Sequence, residues 1–162
     1  MRIVFIQTGG TIDKDYPRTQ KGYAFEIKKP AVERILQKVH PNFDYKMIPL
    51  LKKDSQDITH KDRERIRVAC ESADADKIVI THGTDTMLET AQKLDDIKNK
   101  VIILTGAMKP EKFVDSDASF NVGTAIGAIN ILSKGVYVAM NGRIYPWNKV
   151  KRNQKTGQFV EG

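Results

Sequence analysis

Lys77-Ile78-Val79-Ile80-Thr81-His82-Gly83-Thr84-Asp85-Thr86 carries both halves of the pattern on which the fold reading rests. Lys77–Thr81 is an unbroken β-branched run, which predicts a short strand buried on both faces. His82–Thr86 is small, hydroxylated and glycine-bearing, which predicts a loop at that strand's carboxyl end. Reading onward, a helix is predicted from about Thr86 to Leu94 and a second buried strand at Lys100–Thr105. Asp117 can cap a further helix with an inner face of Phe120, Val122, Ala125, Ile126, Ile129 and Leu132; Gly135 ends it and Val136–Met140 is another strand. Reading backward, Thr59 with Asp62 forms a capping box with Asp in place of Glu, ahead of Ile66, Ala69, Cys70 and Ala73 on one helical face. Phe43–Leu50 reads as a strand, Pro30 opens a helix carrying Val32, Ile35, Leu36 and Val39, and Arg2–Thr8 is the first strand.

Strand–helix alternation with continuous apolar strands predicts an α/β fold: a three-layer, doubly wound, mainly parallel sheet with helices on both faces, of Rossmann/flavodoxin-like type. Gly142–Gly162 reads as a basic polar tail with one apolar patch, Ile144-Tyr145-Pro146-Trp147, expected to pack on its own domain or on a neighbour. The chain has 162 residues, which fits one domain spanning 1–162. Its 27 Lys and Arg against 20 Asp and Glu leave a net charge of +7. Basic and acidic residues interleave outside the tail, and no RNA-stacking motif or zinc finger accompanies them, so nucleic acid is not the expected partner. No apolar run is long enough to span a bilayer, and no export signal is read at the N-terminus, so no membrane partner is expected. Cys70 is the single cysteine. It excludes an intrachain disulfide and a cysteine zinc cluster, reads as a buried core thiol, and suits a reducing cytoplasm.

In doubly wound folds ligands sit at the carboxyl ends of the strands. Here those ends read Thr8-Gly9-Gly10-Thr11-Ile12, Asp54-Ser55-Gln56-Asp57, Thr81-His82-Gly83-Thr84-Asp85-Thr86 and Thr105-Gly106-Ala107-Met108-Lys109-Pro110. Glycines before Thr11 allow close backbone approach and leave N–H groups to face an oxyanion or carboxylate. Neither a Walker pattern nor GxGxxG is present, which disfavours a nucleotide. Hydroxyls beside Asp85 suggest acyl transfer, for which a threonine needs an activating base. His40 and His60 read as surface residues and His82 as shaping its turn. The proton acceptor is then a tyrosine, lysine or carboxylate. Thr81 reads as capping its strand, and Met108 and Met140 as core filler.

These motifs resemble the signatures of the bacterial-type L-asparaginases. Thr8–Ile12 is similar to the first, and Ile80–Met87 with Glu89-Thr90-Ala91 to the second. Ser55-Gln56-Asp57, Thr105–Pro110, Phe120-Asn121 and Val138–Asn141 agree in order and spacing. The resemblance runs from Ile3 to about Asn141. It implies an amidohydrolase acting on linear amides, releasing ammonia from asparagine and possibly glutamine, with no cofactor and no metal. By this resemblance Thr11 is the nucleophile, Tyr23 (rather than Tyr16) assists it, and Thr84, Asp85 and a lysine form a second triad. Ser55, Gln56 and Asp85 would hold the substrate's α-carboxylate and α-ammonium, with Gly10 and the backbone at Ala107 completing the pocket. A homo-oligomer, dimer or higher, is expected.

Two departures stand out. The triad lysine falls within Trp147–Gln154, where an ungapped alignment selects Arg152 and counting back from Phe159 selects Lys151. Arginine cannot act as a base, so Lys151 is the expected residue. The second is length: family members carry a C-terminal domain that donates a carboxylate to a neighbouring site, and this chain is expected to lack it. Two alternatives follow, a non-catalytic amino-acid-binding module and an asparaginase-like subunit of an amidotransferase.

Overall fold

The computed structural model describes residues 1–20, 22–23 and 26–162. Its elements begin with β1 (Arg2–Gly9), two short antiparallel ribbons pairing β2 (Lys14–Asp15) with β5 (Glu26–Ile27) and β3 (Arg18–Thr19) with β4 (Gly22–Tyr23), and α1 (Ala31–Val39). There follow β6 (Asp44–Lys53), α2 (His60–Ser72), β7 (Lys77–Thr81), α3 (Met87–Lys93), β8 (Val101–Thr105), α4 (Ala118–Ala128), β9 (Gly135–Met140) and β10 (Arg143–Pro146). A last ribbon pairs β11 (Val150–Arg152) with β12 (Phe159–Glu161).

A six-stranded sheet in the order β10-β9-β8-β7-β1-β6 forms the middle layer. All its pairings are parallel except β10 on β9. The inner strands β7 and β8 are buried along almost their whole length, as their unbroken apolar runs require. β6 lies at an edge and runs to Lys53, beyond the predicted Leu50, to pair with Gly9. Pro49 inside it fits only such an edge, where a missing N–H breaks no ladder.

Alternate residues of each strand feed two cores. Val4, Ile6, Ile78, Ile80 and Leu104 pack against Ile66 and Cys70 of α2 and Met87 and Ala91 of α3. Ile3, Phe5, Val79 and Ile103 pack against Val32 and Leu36 of α1 and Val122 and Ala125 of α4. The predicted layers and helices are therefore present, with Thr59 and Asp62 making the predicted reciprocal cap. Phe120 departs from the predicted inner face of α4: it is 63% exposed, because Asn121 and Val122 take the buried positions of that turn.

The tail is structured rather than merely polar. β10 continues the sheet, Tyr145 is buried, and the Trp147 indole donates to Asp95 at 2.7 Å. Val150 and Phe159 enter the same core as α2 and α3, so the closing ribbon is docked on its own domain.

Candidate functional site

β1 lies between β6 and β7, so the chain leaves it in one direction and returns on the other side. This reversal opens a crevice between the carboxyl ends of β1 and β7, the place where such sheets bind ligands. The two backbones meet there at glycines. A Cβ on Gly10, whose φ is 82°, would lie 2.4 Å from the N and Cα of Gly83, and one on Gly83 would lie 2.6 Å from Ser55 Cβ. The glycines thus let three loops close on one another. Gly10 N–H donates to Lys53 O at 2.9 Å. This corrects the expectation that it is left to face a ligand.

A cavity of about 400 Å³ sits over this junction. Thr11 enters it from the turn after β1, Asp54, Gln56 and Asp57 from the turn after β6, Thr84 and Asp85 from the loop after β7, and Ala107 and Met108 from the loop after β8. Lys14 and Arg152 complete its lining. Asp85 is held by both oxygens: Oδ2 accepts from Gln56 Nε2 at 2.8 Å, and Oδ1 lies 3.1 Å from an Arg152 nitrogen. Lys14 pairs with Asp54 at 2.9 Å. Thr86 donates to the carbonyl of Ser55 at 2.7 Å, tying the second loop to the third.

The surrounding groups fix these loops. His82 is fully buried, and burial pushes its imidazole down to about 4. Its Nδ1 is 2.7 Å from Gly83 O and its Nε2 is 2.8 Å from the Thr90 hydroxyl. A carbonyl only accepts, so Nδ1 carries the proton and Nε2 accepts from Thr90. His82 is a neutral brace for the turn, as its sequence position predicts. Asp117 does not cap α4 with its side chain. Its carboxylate instead accepts the N–H groups of Met108 and Lys109 at 3.0 Å and the amide of Asn121 at 2.8 Å, which clamps the loop bearing Ala107. Asp13 turns inward two residues past Thr11, and its Oδ1 accepts the N–H of Ala31 at the start of α1 at 2.7 Å.

Of the residues named from sequence, Thr11, Gln56, Thr84, Asp85 and Ala107 line one cavity. Ser55 is buried beneath it against Gly83. Tyr23 lies in β4, and its side chain is outside the described residues. Lys151 does not join the set: it is exposed, and the opposite pleat of β11 turns Arg152 inward. Met108 is exposed at the cavity rather than core filler, whereas Met140 is buried. Lys14, Asp54 and Asp57 are lining residues that motif reading passed over. The alternation of apolar Val150, Lys151 and Arg152 was the available signal for Arg152. Among the described residues, no group of three or more His, Cys, Asp and Glu is placed to hold a metal ion, and no helix is long and apolar enough to cross a membrane.

Residues 2–158 match the family model described as "Asparaginase, N-terminal". The chain is 31% identical to a glutaminase-asparaginase of Acinetobacter glutaminasificans, over 98% of its own length and 52% of the relative's. It is 30% identical to L-asparaginase 2 of Escherichia coli, over 95% and 47% of the two lengths. The thermostable L-asparaginase of Thermococcus kodakarensis superposes with a TM-score of 0.84 at 30% identity, covering 99% of this chain and 51% of that one. The chain thus spans about half the length of the relatives it matches.

Proposed function

Since this chain belongs to the asparaginase family, we propose that it is an amidohydrolase that releases ammonia from asparagine or glutamine through Thr11. The observation that carries this is the meeting of Thr11 with Thr84 and Asp85 across one polar cavity at the β1/β7 crevice. Thr11 Oγ attacks the side-chain amide carbon, and its proton passes by way of a neighbouring base to the departing nitrogen. The tetrahedral intermediate collapses with loss of ammonia, leaving an ester on Thr11 that water then hydrolyses to the acid. Asp85 and Gln56 form one hydrogen-bonded polar pair suited to the amino-acid end of the substrate, and Ala107 borders the amide end. The clamps from Asp117 and His82 support the reading, because catalysis by positioning needs loops that do not drift. Buried, unpaired Cys70 suits a cytoplasmic home.

The test is ammonia release by the wild-type chain from asparagine and from glutamine. Steady, substrate-saturable release from either supports the reading. Absence of release, together with calorimetric binding of aspartate, would replace it by the amino-acid-binding module.

A further inference from the structure

Thr11 sits in a turn that is tied down on both sides of it. Before it, Gly10 N–H donates to Lys53 O at 2.9 Å. After it, Ile12 is wholly buried and its carbonyl accepts the Glu111 N–H at 3.1 Å. The next residue, Asp13, accepts the Ala31 N–H at 2.7 Å through its carboxylate. The two structures that hold this second side are themselves joined. Glu111 pairs with Arg34 at 2.6 Å and with Lys38 at 2.9 Å, both on α1. Turn, helix and loop thus close a triangle, and Asp13 is the side chain by which the turn joins α1.

That tie alone does not need a charge. Asp13 is 2% exposed, and burial raises its carboxyl to about 6. At neutral pH an anion is therefore kept where it lowers stability, although an uncharged amide could accept the same N–H. What the charge adds is strength. Ala31 is the first residue of α1, where the helix dipole favours an anion, and a hydrogen bond to an ionised acceptor is about twice as strong as a neutral one. Residues that break a stability rule are expected at functional positions. The groups facing Asp13 are Gln7 of β1, Arg34 and the Ala31 N–H of α1, and Glu111 of the loop after β8. Gln7 does not titrate and Arg34 stays charged. Burial works to raise the Glu111 carboxyl, but Lys38 and Arg34 outweigh it and hold the group below its ordinary value. Glu111 thus stays ionised while Asp13 titrates.

We propose that Asp13 is a positioning residue for Thr11: as a carboxylate it draws the turn against α1 and sets the Thr11 hydroxyl in the cavity, and on taking up a proton it slackens that hold, so that turnover follows its ionisation. The proposal rests on the reading of Thr11 as the nucleophile. Asp13 acts only through the turn and takes no part in proton transfer to the substrate.

Ammonia release from asparagine by the full chain, followed across the acid range, tests this. Wild-type kcat is expected to fall about threefold as pH drops through the Asp13 titration, and Asp13→Asn to hold that lower level with no step. Asp13→Ala, which leaves the Ala31 N–H unpaired, is expected to lower kcat at least about tenfold. KM should stay within about threefold of wild type in both variants, because Gln56 and Asp85 lie on other loops. Ala31→Pro deletes the donor instead of the acceptor at a helix position that suits proline; it is expected to match Asp13→Ala and serves if that variant does not fold. Amide resonances give a readout without turnover. Those of Thr11 and Ala31 are expected to shift together with pH in the wild-type chain and to stay still in Asp13→Asn. The same acid step in Asp13→Asn, an unchanged kcat in Asp13→Ala, or a Thr11 resonance that ignores the Ala31 titration would overturn the proposal. Absence of ammonia release by the wild-type chain would refute hydrolysis, and the Thr11 resonance would then decide the coupling by itself.

Discussion

Asp13→Asn is expected to stabilise the protein at neutral pH and to flatten its response to pH. Asp13 is 2% exposed; Oδ1 accepts the Ala31 N–H at 2.7 Å, and Oδ2 is buried with no hydrogen-bond partner of good geometry among the described residues. Burial raises its carboxyl from 3.8 to about 6, opposed by the Ala31 N–H, Gln7 and Arg34 and reinforced by Glu111. Between these values the folded chain holds a proton that the unfolded chain has released. Stability therefore falls as pH rises from about 4 to about 6, and the full cost stands above that window. A shift of about two units corresponds to about 3 kcal/mol. Asparagine keeps the acceptor for Ala31 and carries no charge, so the gain at pH 7 is about 2–3 kcal/mol and vanishes below about pH 4. Urea unfolding of both proteins at pH 3.5 and pH 7 measures it. An equal difference at the two pH values, or a loss at pH 7, would refute the reasoning.

Other substitutions probe the junction and the frame. Gly83→Ala puts a Cβ 2.6 Å from Ser55 Cβ; it is expected to cost about 1–3 kcal/mol in urea unfolding and to weaken aspartate binding. Thr59→Ala removes the α2 cap and is expected to cost about 1 kcal/mol by the same measurement. Asp62, whose carboxyl the Lys53 ammonium holds down at about 2, contributes stability above about pH 4 that fades as pH falls toward 2; Asp62→Asn is expected to remove that acid-side slope. Cys70 is buried, and burial pushes its thiol up to about 12. A thiol reagent at pH 7.5 is therefore expected to label it only at the rate of unfolding, which stopped-time mass spectrometry can follow.

The layers of the fold were legible because each inner strand is an unbroken apolar run and each helix begins at a recognisable residue. Thr59–Asp62 capped α2 as read. The site loops were legible for the same topological reason: strand ends in a doubly wound sheet converge on one edge. What escaped reading depended on pairings distant in sequence. Asp117 looks like a local cap, but its carboxylate finds the N–H groups of Met108 and Lys109 nearby in space. Gly10 looks like an open donor, but the extension of β6 to Lys53 supplies a carbonyl for it. Arg152 and Lys151 are adjacent, and it is the pleat of β11, fixed by the register of Arg152 on Phe159, that turns Arg152 to the cavity and Lys151 away from it. Asp13 gave no sequence signal of its role, since Ala31 lies eighteen residues away.

One comparison decides whether the cavity is a site of acyl transfer. The rate of ammonia release from asparagine is measured for the wild-type chain and for Thr11→Ala, with circular dichroism showing that both are folded. Thr11 borders the cavity beside Thr84 and Asp85, and removal of a nucleophile lowers kcat by several orders of magnitude. The expected result is saturable release by the wild-type chain and release at the buffer blank by Thr11→Ala. Equal rates from the two proteins would contradict Thr11 as the nucleophile.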